Sequence, residues 1–272
     1  MITQYFGTTG SGKSANLARI IVETYYRKGA KMLADSAAQI EADNREFGMQ
    51  CTPPTKPPIF VGPHLDVRFE TDFEEYFEPY HLDPYRFGMD DGGEFEVQSV
   101  PPHSLVVIPE AQRYYDSRQS GTFHPRTSGI FEKHRHQHLD IIIESQRPDL
   151  IDQNIRRLTH LFVEMLKVDN KKNSLGRIEQ TTFYTREFKS WQAVNEYLNG
   201  NGKDYEDKPP IVYKGNIFAC YNSYACAREF LPKRRGDYNY LPSSAETMKS
   251  GMPQGMEKYY ELTEPKGYRG KK

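Results

Sequence analysis

Long apolar runs are missing from this 272-residue chain. No stretch reaches the roughly 18 apolar residues a membrane-crossing helix needs, so the chain is expected to have no transmembrane segment of its own. Cysteine is scarce. Cys51, Cys220 and Cys226 are odd in number and match no zinc-site spacing, which excludes a disulfide framework and makes a reducing compartment the default. No secretory leader is read ahead of the first motif. Excess charge of one sign is missing too. With 36 basic and 37 acidic side chains the net charge is −1 at pH 7, an argument against strong standing affinity for nucleic acid. Locally the balance is uneven. Asp66 to Glu96 is acidic, as expected of a solvated surface loop, and the chain beyond Arg228 is basic.

What is present begins at the N-terminus. Gly7-Thr8-Thr9-Gly10-Ser11-Gly12-Lys13-Ser14 follows the apolar run Ile2 to Phe6 and fits G-x-x-x-x-G-K-[ST], a phosphate-binding loop. Glycines let successive backbone N–H groups turn inward around a polyphosphate, and the N-terminus of the next helix adds partial positive charge. Lys13 is then placed for the β- and γ-phosphates of ATP, and the Ser14 hydroxyl for Mg2+. Leu17, Ala18, Ile21, Val22, Tyr25 and Tyr26 recur at helical spacing, predicting a helix over 14–28 that Gly29 ends. A second, polar helix is expected over 31–47.

Further strands are predicted at Ile59 to Val61, Ser104 to Ile108, Leu139 to Ser145 and Leu158 to Val168. Arg177 to Phe188 reads as an antiparallel partner of the last of these, and Ile211 to Tyr221 as a final strand. Helices are expected over 110–118, 127–137, 149–157 and 191–198, and a loop with at most a short helix over 70–100. Strands alternating with helices behind such a loop imply an α/β fold: a P-loop NTPase core with a mostly parallel sheet flanked by helices, late antiparallel strands and an extended C-terminal tail. Residues 1–227 are read as the ATPase domain and 228–272 as a basic, flexible tail.

In such a fold the ligand lies at the carboxyl ends of the strands, which directs attention to Pro109-Glu110 and Ser145-Gln146. An ATPase usually ends one strand with two acidic residues, one for Mg2+ and one for the attacking water. Here the strand Leu105 to Ile108 leads into Pro109 and Glu110. Proline cannot bind a metal. Glu110 is therefore either the base, with Mg2+ held by Ser14 and waters, or a remnant in a site that turns over slowly. Gln146 is placed to reach the γ-phosphate or the water, or simply closes its strand. Arg135, Arg147, Arg156 and Arg157 are candidates for donation to a neighbouring subunit's site, with Arg147 the one assigned a catalytic part. His134, His136 and His138 invite a metal reading, but no third ligand stands nearby on the same helix face, so polar packing is expected.

The order of the P-loop, Val106-Val107-Ile108-Pro109-Glu110-Ala111-Gln112-Arg113, Glu132-Lys133-His134-Arg135-His136 running into Leu139-Asp140-Ile141-Ile142, Ser145-Gln146-Arg147 and Ile155-Arg156 resembles the zonular occludens toxin (Zot) domain. Phe218 to Tyr224 is similar to that family's closing strand, and the likeness covers residues 1–225. The resemblance implies a filamentous-phage morphogenesis ATPase that drives virion extrusion and works as a homo-oligomeric ring. Its implied partners are phage coat or envelope secretion proteins and single-stranded DNA. By position it gives Lys13 and Ser14 the phosphate and Mg2+ roles, Glu110 the water-activating role and Gln146 the γ-phosphate-sensing role. Three departures stand out: Pro109 where the family has an acid, a longer connection over 30–58, and no membrane helix after Tyr224. The last implies either a soluble variant in the host bacterial cytoplasm or one that relies on a partner to reach the inner membrane. The competing readings are a DNA-handling motor of the packaging or conjugation type and a nucleotide-stabilised scaffold that does not hydrolyse.

Overall fold

The computed structural model describes residues 1–71, 76–88, 98–118 and 125–222. The basic segment over 228–272 lies outside them, as do Cys226 and most of the acids between Asp72 and Glu96.

β1 (Ile2–Phe6) leads into the glycine loop and then α1 (Lys13–Phe47). The apolar face expected of this helix is buried, with Ala15, Leu17, Ala18, Ile21 and Val22 in one core layer. Its end is a correction. Gly29 does not stop the helix. The two helices expected over 14–28 and 31–47 are one element of 35 residues, closed by Gly48 at φ 64°. Gly29 is there for a close approach, since a Cβ at this position would lie 3.1 Å from Cγ of Pro57. A glycine costs a helix interior about 1 kcal/mol relative to alanine. Here it lets the proline-rich return strand lie against the helix. At about 1.5 Å per residue α1 is some 50 Å long, while β1 spans under about 20 Å, so the second half of α1 overhangs the sheet.

The return leads to β2 (Ile59–Val61), then a set of two-residue strands: β3 (Asp66–Val67), β4 (Phe69–Glu70), β5 (Tyr76–Phe77) and β6 (Tyr80–His81). Where a loop is expected over 70–100, the described residues include β5 and β6, and β6 joins the main sheet as a parallel edge strand beside β2. β7 (Leu105–Ile108) comes next. The helix expected over 110–118 is only a single 3-10 turn, Ala111–Arg113. Tertiary bonds hold the chain beyond that turn: buried Tyr115 donates its hydroxyl to Pro84 O, and its carbonyl accepts from Asp152 N.

α2 (Pro125–Lys133) ends before the histidines, and β8 (Asp140–Ser145) begins one residue later than expected. α3 (Gln153–Leu158), capped by Asp152, turns the chain into β9 (Leu161–Lys172), which pairs antiparallel with β10 (Ile178–Phe188). α4 (Trp191–Leu198), β11 (Glu206–Asp207), β12 (Ile211–Lys214) and β13 (Tyr221–Asn222) complete the described chain. The single strand expected over 211–221 is split by Gly215 and a 3-10 turn at Ile217–Ala219, and β13 pairs with β3 outside the main sheet.

The sheet runs β11-β10-β9-β1-β8-β7-β2-β6, with β12 also on β10. From β9 to β6 every pairing is parallel; the late strands are antiparallel. The period of two sorts side chains to two layers. Val107 and Ile142 face α1, whereas Val106, Ile108, Ile141 and Ile143 face Ile130 and Phe131 of α2 and Ile155 of α3. Phe6, Phe162 and Phe188 pack under α4. Helices therefore cover both faces, the α/β architecture expected. Among the described residues no helix is long and apolar enough to cross a membrane.

Only the first part of β9 pairs with β1. The rest continues past the sheet with β10 and passes beside the loop. A Cβ on Gly12 would come within 2.8 Å of Val168 Cβ, and one on Gly7 within 2.6 Å of Met165 O, whereas Gly10 faces open space. All three have positive φ, at 149°, 83° and 91° in chain order. Gly10→Ala should therefore lose only the backbone term, about 1–2 kcal/mol. Gly12→Ala adds the clash and should lose about 2–4 kcal/mol in chemical denaturation. Val168→Gly, which removes the Cβ that the new methyl would meet, should bring the Gly12→Ala loss, measured against Val168→Gly alone, down to that of Gly10→Ala; equal losses at positions 10 and 12 in the wild-type background would show that β9 does not press on the loop.

Candidate nucleotide site

β1 ends on buried Phe6, and the chain turns at Gly7, whose N–H donates to Gln146 O at 3.3 Å. This bond ties the loop to the tip of β8. The loop then closes on itself through Ser11 N to Thr8 O, 3.2 Å, and opens the helix through Asn16 N to Gly12 O, 2.9 Å. Thr8, Thr9 and Gly10 are exposed, Ser11 and Lys13 are buried, and Ser14 is exposed on the first turn of α1. No side chain caps α1, so its first N–H groups are left for an anion.

The Lys13 ammonium lies inside the loop. It donates to Gly7 O at 3.0 Å and Thr8 O at 3.1 Å, and stands 3.7 Å from Glu144 Oε1. Glu144 is the residue that sequence reasoning passes over. It lies one place before the end of β8, opposite Tyr5 of β1, and is 1% exposed. Its Oε2 accepts from the backbone N–H of Glu110 at 3.2 Å, while its Oε1 accepts no hydrogen bond among the described residues. Burial pushes its carboxyl up to about 6; the Lys13 charge pulls down and the Glu110 charge pushes up. The signal in the sequence is a carboxylate directly after three isoleucines, second from the end of a buried strand, where an unpaired charge is costly.

Glu110 follows Pro109 at the tip of β7 and adopts φ 48°, ψ 38°, a left-handed conformation rare for a side chain of this size. Its Oε2 accepts from Gln112 Nε2 at 2.6 Å, a second partner that sequence reasoning does not pick out. Glu144 therefore spans the interval between Lys13 and the backbone of Glu110. The strand carrying it, β8, lies between β1 and β7.

The remaining candidates separate. Gln146 is exposed beside Gly7, at the same end as the loop. Arg147 is at that end too, bonded to Asp149 at 3.0 and 2.9 Å, with its side chain 65% exposed. Arg135, Arg156 and Arg157 are elsewhere. Arg135 meets His160, which accepts from Ile2 N at the start of β1, and Arg156 lies 4.3 Å over the Trp191 ring. Arg157 is in the last turn of α3, which leads into the start of β9. These three sit toward the amino ends of the strands, away from the loop. His134 is buried, with Nδ1 2.6 Å from Phe131 O, and burial holds its pKa below the usual imidazole range. His138 stacks on His103, ring centroids 4.6 Å apart. Among the described residues no group of three or more His, Cys, Asp or Glu could hold a metal.

Mg2+ bound with a nucleotide needs no such cage. It takes oxygen ligands, keeps several waters and shares the phosphates. The exposed Ser14 hydroxyl and the hydrogen-bond-free, buried Oε1 of Glu144 are oxygen donors of that kind, so the residues present fit the ion.

A parallel sheet with the glycine loop at the tip of β1 and α1 behind it defines a P-loop NTPase fold. Within that class, residues 91–225 match the family model described as zonular occludens toxin (Zot), the family the sequence resembles. The match begins after the P-loop, so loop and family are independent observations. Three solved structures illustrate the likeness. The N-terminal domain of zonular occludens toxin from Neisseria meningitidis is 17% identical, covering 81% of this chain and 98% of that one, with a TM-score of 0.41. The genome packaging NTPase B204 from Sulfolobus turreted icosahedral virus 2 in complex with AMP is 10% identical, covering 77% and 97%, at 0.37. The same NTPase in complex with ATP-gammaS is 10% identical, covering 79% and 97%, at 0.31. No curated protein sequence matches.

The Lys13–Glu144 pair can be tested without nucleotide. Lys13→Ala leaves a buried carboxylate without its cation and should destabilise the protein; Glu144→Gln should cost less. In the double variant the losses should fall short of their sum by on the order of 1 kcal/mol in urea unfolding. Simple additivity would mean that the 3.7 Å contact contributes nothing to the fold.

Proposed function

We propose that this chain is an ATP-binding and ATP-hydrolysing motor of the filamentous-phage assembly type. It acts as a homo-oligomeric ring in the host bacterial cytoplasm and reaches the inner membrane through a partner. The observation that carries the reading is the glycine cradle over 7–14, joined through Glu144 to the backbone of Glu110. A phosphate cradle alone binds. A carboxylate held two strands away, at the same end of the sheet, adds a base for water. The Zot match over residues 91–225 supports the assembly role. Residues 1–227 form the motor unit, and the basic segment after them is an appendage.

In this reading Lys13 and the loop N–H groups hold the β- and γ-phosphates, Ser14 takes Mg2+, and Glu110 accepts a proton from the attacking water. Gln146 contacts the γ-phosphate or that water. Arg147, exposed at the same end, is the arginine offered to the neighbouring subunit, where a cation offsets charge on the transferring phosphoryl group.

Phosphate release and oligomeric mass, measured with ATP, ADP and no nucleotide, test the reading together. Wild type should release phosphate and change mass with ATP. Lys13→Ala should lose both binding and turnover. Glu110→Gln should keep binding and lose turnover by about 100-fold or more. A wild type that binds ATP and shifts mass without releasing phosphate is a scaffold instead. Turnover raised by single-stranded DNA, with salt-dependent binding, points to the DNA-handling motor.

A further inference from the structure

Pro109 stands where a nucleotide site of this kind needs an oxygen ligand. Its ring offers none, and it is buried. The register shows what lies beside it. Ile108 pairs with Ile143, and the next residue along β8 is Glu144. β8 is also the strand hydrogen-bonded to β1, so its tip is closer to the loop than that of β7. We propose that Glu144 supplies the metal-side carboxylate of this site, one strand over from the position Pro109 occupies.

Three observations carry this assignment. Glu144 alternates with Ile142 on the face toward α1, the side on which Lys13 and Ser14 open the helix. One oxygen, Oε2, is committed to the Glu110 N–H, so the side chain is oriented rather than loose. The other, Oε1, is buried and accepts no hydrogen bond among the described residues, with the Lys13 ammonium 3.7 Å away. A buried ionised oxygen this poorly satisfied is costly unless a cation completes it. Lys13 does so only in part, because it also serves the carbonyls of Gly7 and Thr8. When a polyphosphate enters the loop, the ammonium turns to the phosphate oxygens. The carboxylate would then lack its partner, and with Ser14 it would hold a divalent cation bound with the nucleotide, while its bond to Glu110 N keeps the two carboxylates in a fixed relation.

This assignment rests on the nucleotide-binding reading, and the experiment separates the two. A fluorescent non-hydrolysable ATP analogue is titrated into the full chain with Mg2+ or with EDTA, and bound Mn2+ is followed by electron paramagnetic resonance. In wild type the metal should tighten binding. Glu144→Gln should bind the analogue in EDTA at least as well, because Lys13 is freed, yet lose about tenfold or more of the metal-dependent tightening and change the Mn2+ spectrum. Glu144→Asp keeps the charge but withdraws it by one methylene and should lose part of the response. Pro109→Asp added to Glu144→Gln returns a carboxylate to the neighbouring strand and should restore it. Glu110→Gln should leave the metal response intact. Thermal melts establish that each variant is folded. A full metal response in both Glu144 variants overturns the assignment and leaves Glu144 as a partner of Lys13 alone. A wild type that binds no analogue with or without metal overturns the nucleotide reading itself.

Discussion

A carboxylate cannot sit buried under a phosphate loop without being paired. Glu144 is in that position, and the surrounding site is arranged by what satisfies it. Lys13 leans toward it from the loop, and the N–H of Glu110 donates to it from the next strand. These two contacts join three consecutive strands of the sheet at one end. They also explain the left-handed backbone at Glu110, which aims its N–H at the Glu144 carboxylate while its own carboxylate is held by Gln112. Glu110 is thus oriented from both sides.

The loop is constrained as tightly from the other direction. β9 continues past its pairing with β1, so Met165 and Val168 lie against the turns of the loop. Two glycines answer to two demands at once: a positive φ, and no room for a Cβ. Gly10 answers only to the first. The antiparallel strands β10 and β12 brace the extension of β9, so the late part of the chain takes part in shaping the loop.

Where periodicity or a fixed motif speaks, the sequence is legible. Ile2 to Phe6, the loop, Leu105 to Ile108, the β9–β10 pair and the helix at Trp191 stand in the structure within a residue or a few of where they are expected. Local signals fail where tertiary contact overrides them. Gly29 reads as a stop because glycine usually is one; the proline-rich return packing against it cannot be seen from neighbouring residues. The segment over 110–118 has helical composition, but Tyr115 and Asp116 are held by distant strands and turns. Glu144 escapes notice because the three isoleucines before it dominate the reading of β8. Its alternation is the clue: Ile142, Glu144 and Gln146 share a face, and that face looks at the loop.

The His134 to His136 block and the residues that would do chemistry lie at opposite ends of β8. The His134-Arg135-His136 block is knitted to the amino end, where Leu139 N donates to His134 O, the chain's first amine donates to Leu139 O, and Arg135 meets His160. Glu144, Ser145 and Gln146 are at the carboxyl end. Burial accounts for His134 and the His160 contact for Arg135, at the edge where β1, β8 and β9 begin. At the carboxyl end an acid at position 144 stands beside a proline at position 109, one coherent local solution. The strand that closes the fold at one end carries the charge that completes the site at the other.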